Sequence, residues 1–165
     1  MLITVMGAFI ITSVFLYFLQ DRLALQETKS SIDAAITSVE NVIAEEDDKS
    51  AIAGIAENIS ISSTGYFLIL DENLNIVGYP KNFDIDPEKT EDFMQYNYSA
   101  GEMFTGIIGG ENCYMEYRIT QNGYYVVAVL PEKEAMQERN ISLYVNTFLE
   151  VLVFAALFGL IYVLM

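Results

Sequence analysis

Histidine and tryptophan are absent from these 165 residues; cysteine occurs once and proline three times. Without histidine there is no Ser-His-Asp triad and no histidine-bearing zinc site. Cys113 has no second cysteine to pair with in the chain and no histidine to activate its thiol. Set in a strand between Asn112 and Tyr114, it reads as a small buried residue. Positive charge is also scarce, with eight Lys and Arg against 23 Asp and Glu and a formal net charge of −15. So acidic a chain repels nucleic acid and anionic headgroups. Gly-rich phosphate loops are missing, and no pair of carboxylates sits in an apolar setting that would split its pKa values. Catalysis by this chain is therefore not expected, and neither is a cofactor or a metal.

Apolar length is what the chain has in excess. Leu2 to Leu19 carries no charge, and Leu143 to Met165 carries only Glu150. A spanning helix takes roughly 20 apolar residues. The first run lacks a basic n-region and is followed by Gln20, Asp21 and Arg22 rather than a small-x-small site, so it reads as an uncleaved anchor. The expected division is a first span over 1–19, an extracytoplasmic domain over 20–142 and a second span over 143–165. The 123 residues between the spans hold all eight basic residues and 22 of the 23 acidic ones, a net charge of −14. A short N-terminal tail kept in the cytoplasm leaves the acidic domain outside a bacterial inner membrane, anchored in lipid by two passes. The second run reaches Met165 without a basic flank, which reads as a cut before a cytoplasmic effector. Glu150 has two readings. It is either a helix–helix contact in a dimer, with Thr147 or Thr12 as partner, or a carboxylate close enough to the interface to reach water.

After the first span, Ile32, Ile36, Val39 and Ile43 recur at 4-3-4 spacing, with Leu25 one heptad before Ile32. This predicts a continuing helix with one apolar stripe. A shorter helix over "KSAIAGIAENIS" follows. "GYFLIL" and "NIVGYP" flank the turn DENLN as a hairpin. Pro87 and the acidic residues after it start a further helix. "GEMFTGIIGG", "NCYMEYRIT" and "YYVVAVL" are three more strands, joined at Gly109-Gly110 and Asn122-Gly123. From Pro131 a helix is expected to run into the second span without a break.

DENLN itself resembles the start of a calcium loop, with Asp71, Asn73 and Asn75 at positions 1, 3 and 5. Position 6 is Ile76 instead of Gly and position 12 is Asn82 instead of Glu, so the loop cannot be an EF-hand. Asp71 and Asn73 are expected to bond nearby backbone N–H groups in a turn.

Three stretches together resemble an extracytoplasmic Cache domain, the PAS-like sensor module of bacterial receptors. They are "GYFLILDENLNIVGYP", "ENCYMEYRITQNGYYVVAVLPEKEA" and the long helix leaving the first span. The resemblance implies an α+β fold: a PAS-like five-stranded antiparallel sheet with a long N-terminal helix, flanked by two transmembrane helices. It also implies an unknown small extracellular ligand, a homodimer and a cytoplasmic output. That output would be a histidine kinase, a chemotaxis domain, a diguanylate cyclase or a PPM-type phosphatase. The last segment, "ERNISLYVNTFLEVLVFAALFGLIYVLM", resembles receptors in which a HAMP linker and a PPM-type phosphatase follow. The rival from another class is a membrane-tethered interaction or structural domain without a small-molecule pocket.

Period-two alternation places Asn112, Tyr114, Glu116 and Arg118 on one face of their strand, and Cys113, Met115, Tyr117 and Ile119 on the other. The second, apolar face is expected against the long helix, and the first is expected to wall a pocket. Arg118 either forks onto a ligand carboxylate or pairs with a nearby acid. Tyr79, Phe93, Tyr96 and Tyr98 cluster where a Cache domain closes its pocket. With Tyr114, Glu116 and Arg118 they complete the expected ligand-binding set.

Overall fold

The computed structural model describes residues 2–46, 48–81 and 99–164. By internal contacts it divides into two compact units, Glu27–Ala135 and the pair of segments Met1–Gln26 and Met136–Met165.

Helix α1 (Leu2–Ala44) contributes to both units. In the unit Glu27–Ala135 its stripe is buried as expected, with Ile32, Ile36, Val39 and Ile43 inaccessible to solvent; Leu25, which belongs to the other unit, is only partly covered. Helix α2 (Lys49–Asn58) begins at Asp48, whose side chain accepts from the Ser50 N–H at 2.9 Å. A Ser/Thr/Asp/Asn oxygen at this place satisfies an amide that the helix cannot. The sheet comprises β1 (Ser60–Ile61), β2 (Gly65–Leu70), β3 (Ile76–Gly78), β4 (Phe104–Ile108), β5 (Glu111–Ile119) and β6 (Tyr125–Pro131). It is antiparallel throughout, in the order β1-β2-β6-β5-β4, with β3 also on β2. The two-residue β1 is additional to the expected five strands and pairs only with the start of β2. The fold is therefore α+β, with an antiparallel sheet, a long N-terminal helix that starts apolar and a C-terminal apolar helix.

The turn after β2 forms as the sequence indicates. Asp71 accepts from the N–H groups of Asn73 at 2.9 Å and Asn75 at 3.0 Å, and from the Asn75 side chain. Those bonds, led by Asn75, hold its carboxyl below the usual range. Between β5 and β6, Asn122 does more than turn the chain. Its amide donates to the carbonyls of Ile43 at 2.9 Å and Glu46 at 3.1 Å, just where α1 ends; the Ile43 carbonyl also accepts from the Glu46 N–H at 3.1 Å. The expected helix after Pro87 lies outside the described residues.

Pro131 still belongs to β6, and the expected unbroken helix is divided at Met136 into α3 (Glu132–Ala135) and α4 (Gln137–Leu164). A tertiary contact that the local sequence does not announce holds α3. The Glu134 carboxylate accepts from the backbone N–H and the hydroxyl of both Ser63 and Thr64, in the turn between β1 and β2. Partial burial raises this carboxyl, but the hydrogen bonds from Ser63, Thr64 and Ser62 outweigh it and bring the group down to about 2.

In the second unit, α1 and α4 run antiparallel in one register. Arg139 pairs with Asp21, Gln20 donates to Ser142 at 2.9 Å, and Phe9 stacks on Phe154 at 4.6 Å. Ser13, rather than Thr12 or Thr147, meets Glu150, 2.7 and 2.8 Å from its two oxygens. Two stretches, Gly7–Ala44 and Arg139–Leu160, are helices long and apolar enough to cross a membrane.

Two glycines permit close approach. A Cβ on Gly65 would lie 2.4 Å from the Ile61 carbonyl oxygen, whereas one on Gly106 would lie 2.3 Å from the Met115 terminal methyl. A methionine end can swing aside and a backbone carbonyl cannot. Gly65→Ala should therefore destabilise by about 2–3 kcal/mol, and Gly106→Ala by about 1 kcal/mol or less, in denaturant titrations of the full chain. Equal losses would contradict this account. Glu134 contributes stability that is fully present above its unfolded value of 4.5 and is lost as the pH falls towards about 2. In thermal melts, Glu134→Gln should lower the melting temperature at neutral pH and flatten the acid limb over that interval.

Candidate functional site

The pleat gives the sheet two chemically distinct faces. On one, register aligns Phe67 and Ile69 of β2 with Ala128 and Val126 of β6, and these with Glu116 and Arg118 of β5. Tyr114 opposite Leu130 completes the row. Both helices lie on this face. A Cβ on Gly78, opposite Ile69, would lie 3.0 Å from Ala53 Cα and Ala56 Cβ of α2. Arg118 reaches α1, where its guanidinium donates to Asp33 at 3.0 Å and to the Thr37 hydroxyl at 2.7 Å, with Glu40 at 3.6 Å. The fourth contact runs along its own strand, from Arg118 Nε to Glu116 Oε1 at 3.1 Å.

This reverses the expected placement of the faces. The mixed face carrying Glu116 and Arg118 packs on the long helix; the face of Cys113, Met115 and Tyr117 does not. The reason is electrostatic. Asp33, Thr37 and Glu40 flank the isoleucine stripe of α1 on one side and offer a cation more acceptors than solvent exposure would justify leaving unpaired. Only one basic residue, Arg118, lies on β4, β5 or β6. Of the two uses foreseen for Arg118, the ion pair is the one present.

Glu116 is fully buried, although its strand neighbours Arg118 and Tyr117 are not. Desolvation and the charge of Asp33 raise its pKa, against the lowering effect of Arg118. Its Oε2 has no hydrogen-bond partner while the carboxyl is ionised.

The opposite face is apolar and aromatic. Tyr66, Leu68 and Leu70 of β2, Phe104 and Ile108 of β4, Cys113 and Met115 of β5, and Val127 and Val129 of β6 form one buried cluster. Ile76, Tyr117 and Tyr125 pack around it. Three rings form a row: Tyr117 lies edge-on to Phe104 at 6.5 Å and tilted to Tyr125 at 6.2 Å. Burial, with Cys113 and Glu111 nearby, pushes the Tyr66 phenol well above its ordinary range. Burial likewise pushes the Cys113 thiol up to about 11, with Glu111 adding to it against a backbone hydrogen bond from Ile108. The thiol is thus protonated and inert at neutral pH.

Tyr114, Glu116 and Arg118 are brought together as expected, on the helix side. Tyr79 is not among them. It follows β3, separated from β5 by β2 and β6, and is 37% exposed. Phe93, Tyr96 and Tyr98 lie outside the described residues. Sequence reasoning missed Tyr66, Phe104, Tyr117 and Tyr125 as a group. The signal was available, because each occupies an aromatic position in phase with the Cys113–Met115–Tyr117 face of its strand.

No protein-family model matches the chain, and no curated protein matches it. Among solved structures it is similar to one described as the ligand binding domain of Mlp24 with asparagine. The TM-score is 0.43 and the identity 15%, over 54% of this chain and 37% of that one. So partial a likeness decides nothing about the site.

Removing Arg118 would leave buried Glu116 facing Asp33 without a counter-charge. Breaking a buried pair costs about 3–5 kcal/mol, and the 26% exposure of the Arg118 side chain places the loss at the low end. Arg118→Ala should therefore destabilise the full chain by about 3 kcal/mol in denaturant titrations, with Arg118→Lys in between.

Proposed function

We propose that this chain is the ligand-sensing and membrane-anchoring region of a bacterial receptor. A small molecule would bind on the aromatic face of the sheet, and a cytoplasmic output domain would receive the signal. The observation that carries the reading is the division of labour between the two faces. One is committed to holding α1 and α2. The other carries Phe104 and three tyrosines, Tyr66, Tyr117 and Tyr125, rigid aromatic side chains of which the tyrosines end in a polar hydroxyl. The two long apolar helices support anchoring in a membrane, and in this reading the acidic domain is outside. Ligand binding would signal only if the ligand favours one arrangement of the helices over another. A homodimer is the working unit in this reading, and the output is of phosphatase, kinase, chemotaxis or cyclase type.

The test is a thermal-shift screen of the full chain in detergent against amino acids, organic acids, amines and nucleobases. A true ligand should raise the melting temperature in a concentration-dependent way. The shift should disappear in Tyr125→Ala and survive in Arg118→Lys. Silence across the panel from well-folded protein would instead favour a membrane-tethered interaction domain.

A further inference from the structure

We propose that Glu116 is a proton-binding site that fastens α1 to the sheet, so that the domain responds to the acidity of its surroundings as well as to any ligand. The geometry is that of a site short of one proton. Glu116 is inaccessible to solvent, yet only one of its two oxygens meets a donor. Arg118 bonds both Glu116 and Asp33, which brings the two carboxyls within interacting distance, and two such carboxylates repel until one is protonated.

Among the described residues, the charged neighbours can be assigned. From α1 come Asp33 and Glu40, together with Lys29, 3.6 Å from the second oxygen of Asp33 and nearly half exposed. From β5 come Arg118 and, two residues before Glu116 on the same face, the phenol of Tyr114, and β6 offers only Val126 and Ala128 across the ladder. β4 begins opposite Met115 and contributes no pair at Glu116. Arg118 thus serves three carboxylates.

Taking one proton from solvent, Glu116 becomes a donor. Its O–H bonds to the Asp33 carboxylate, Arg118 keeps its bonds to both groups, and no buried oxygen is left over. Losing that proton restores an unpaired oxygen and a second full negative charge beneath α1, which loosens the helix. The sign follows. The folded-state pKa is raised, so the stability is fully present below the unfolded value of 4.5 and is lost as the pH rises through the folded one.

The experiment is a carbon-13 titration of glutamate carboxyls in the full chain in lipid nanodiscs, paired with thermal melts from about pH 5 to about pH 8. One carboxyl should titrate above 4.5, and its signal should be missing from Glu116→Gln. That variant, a permanent donor, should melt with the wild type at low pH and increasingly above it as the pH rises. If Glu116→Gln does not fold, Asp33→Asn identifies the resonance by returning its titration towards the ordinary range. The proposal is overturned if Glu116 titrates at or below 4.5, or if the difference in melting temperature between wild type and Glu116→Gln does not change with pH. Neither readout depends on a small-molecule ligand, so the outcome is separate from that of the thermal-shift screen.

Discussion

One guanidinium decides how the sheet is dressed. In a chain with eight basic residues and 23 acidic ones, cations are the limiting resource. Arg118 is the cation placed under α1, where it meets Asp33, Glu40, Glu116 and the Thr37 hydroxyl. The isoleucine stripe alone would let α1 settle on either apolar face, since hydrophobic burial is non-directional. The hydrogen bonds of Arg118 remove that freedom. They select the face, and they also select the register, because a shift of one residue rotates a helix by about 100° and translates it by about 1.5 Å. Such a step would carry Asp33 and Thr37 away from the guanidinium together. Once α1 is seated, the other face of the sheet is what remains for the aromatic cluster.

Features encoded by neighbours in sequence were legible before the structure. The stripe at Ile32, Ile36, Val39 and Ile43, the Asp71 turn and the strands around Gly109-Gly110 and Asn122-Gly123 rest on periodicity and turn chemistry, and all are present. The α+β layering followed from their order. Features made by distant partners were not legible. β1 exists only as the pairing of Ser60 and Ile61 with the start of β2, and two residues carry no pattern. The division at Met136 has no Pro, Gly or cap beside it; α3 is held by Glu134 through Ser63 and Thr64, about 70 residues away in sequence.

The inverted faces are a different kind of miss. Alternation along β5 sorted the side chains correctly, with Glu116 and Arg118 together and Met115 and Tyr117 together. The sorting does not say which set meets the helix. Hydrophobicity pointed the apolar set at α1, but charge complementarity with Asp33 and Glu40 outweighed it. An unpaired buried carboxylate costs several kcal/mol, more than the area gained by exchanging one apolar face for another.

Two acids, Glu116 in the sheet and Glu150 in α4, are each met from α1. Arg118 joins Glu116 to Asp33 and Thr37, and Glu150 faces Ser13. The two partners differ in what they can offer. Asp33 brings a negative charge and can only accept, so it favours a proton on Glu116. Ser13 brings one hydroxyl proton, for which Phe9 O and both oxygens of Glu150 compete within 3.0 Å. One proton cannot satisfy three acceptors, so the Ser13 hydroxyl serves one of them at a time. The site under the sheet leaves the opposite imbalance, a buried oxygen of Glu116 without a donor. A proton on Glu116 supplies the missing donor, and the bonds it completes are those that tie α1 to β5 through Arg118 and Asp33.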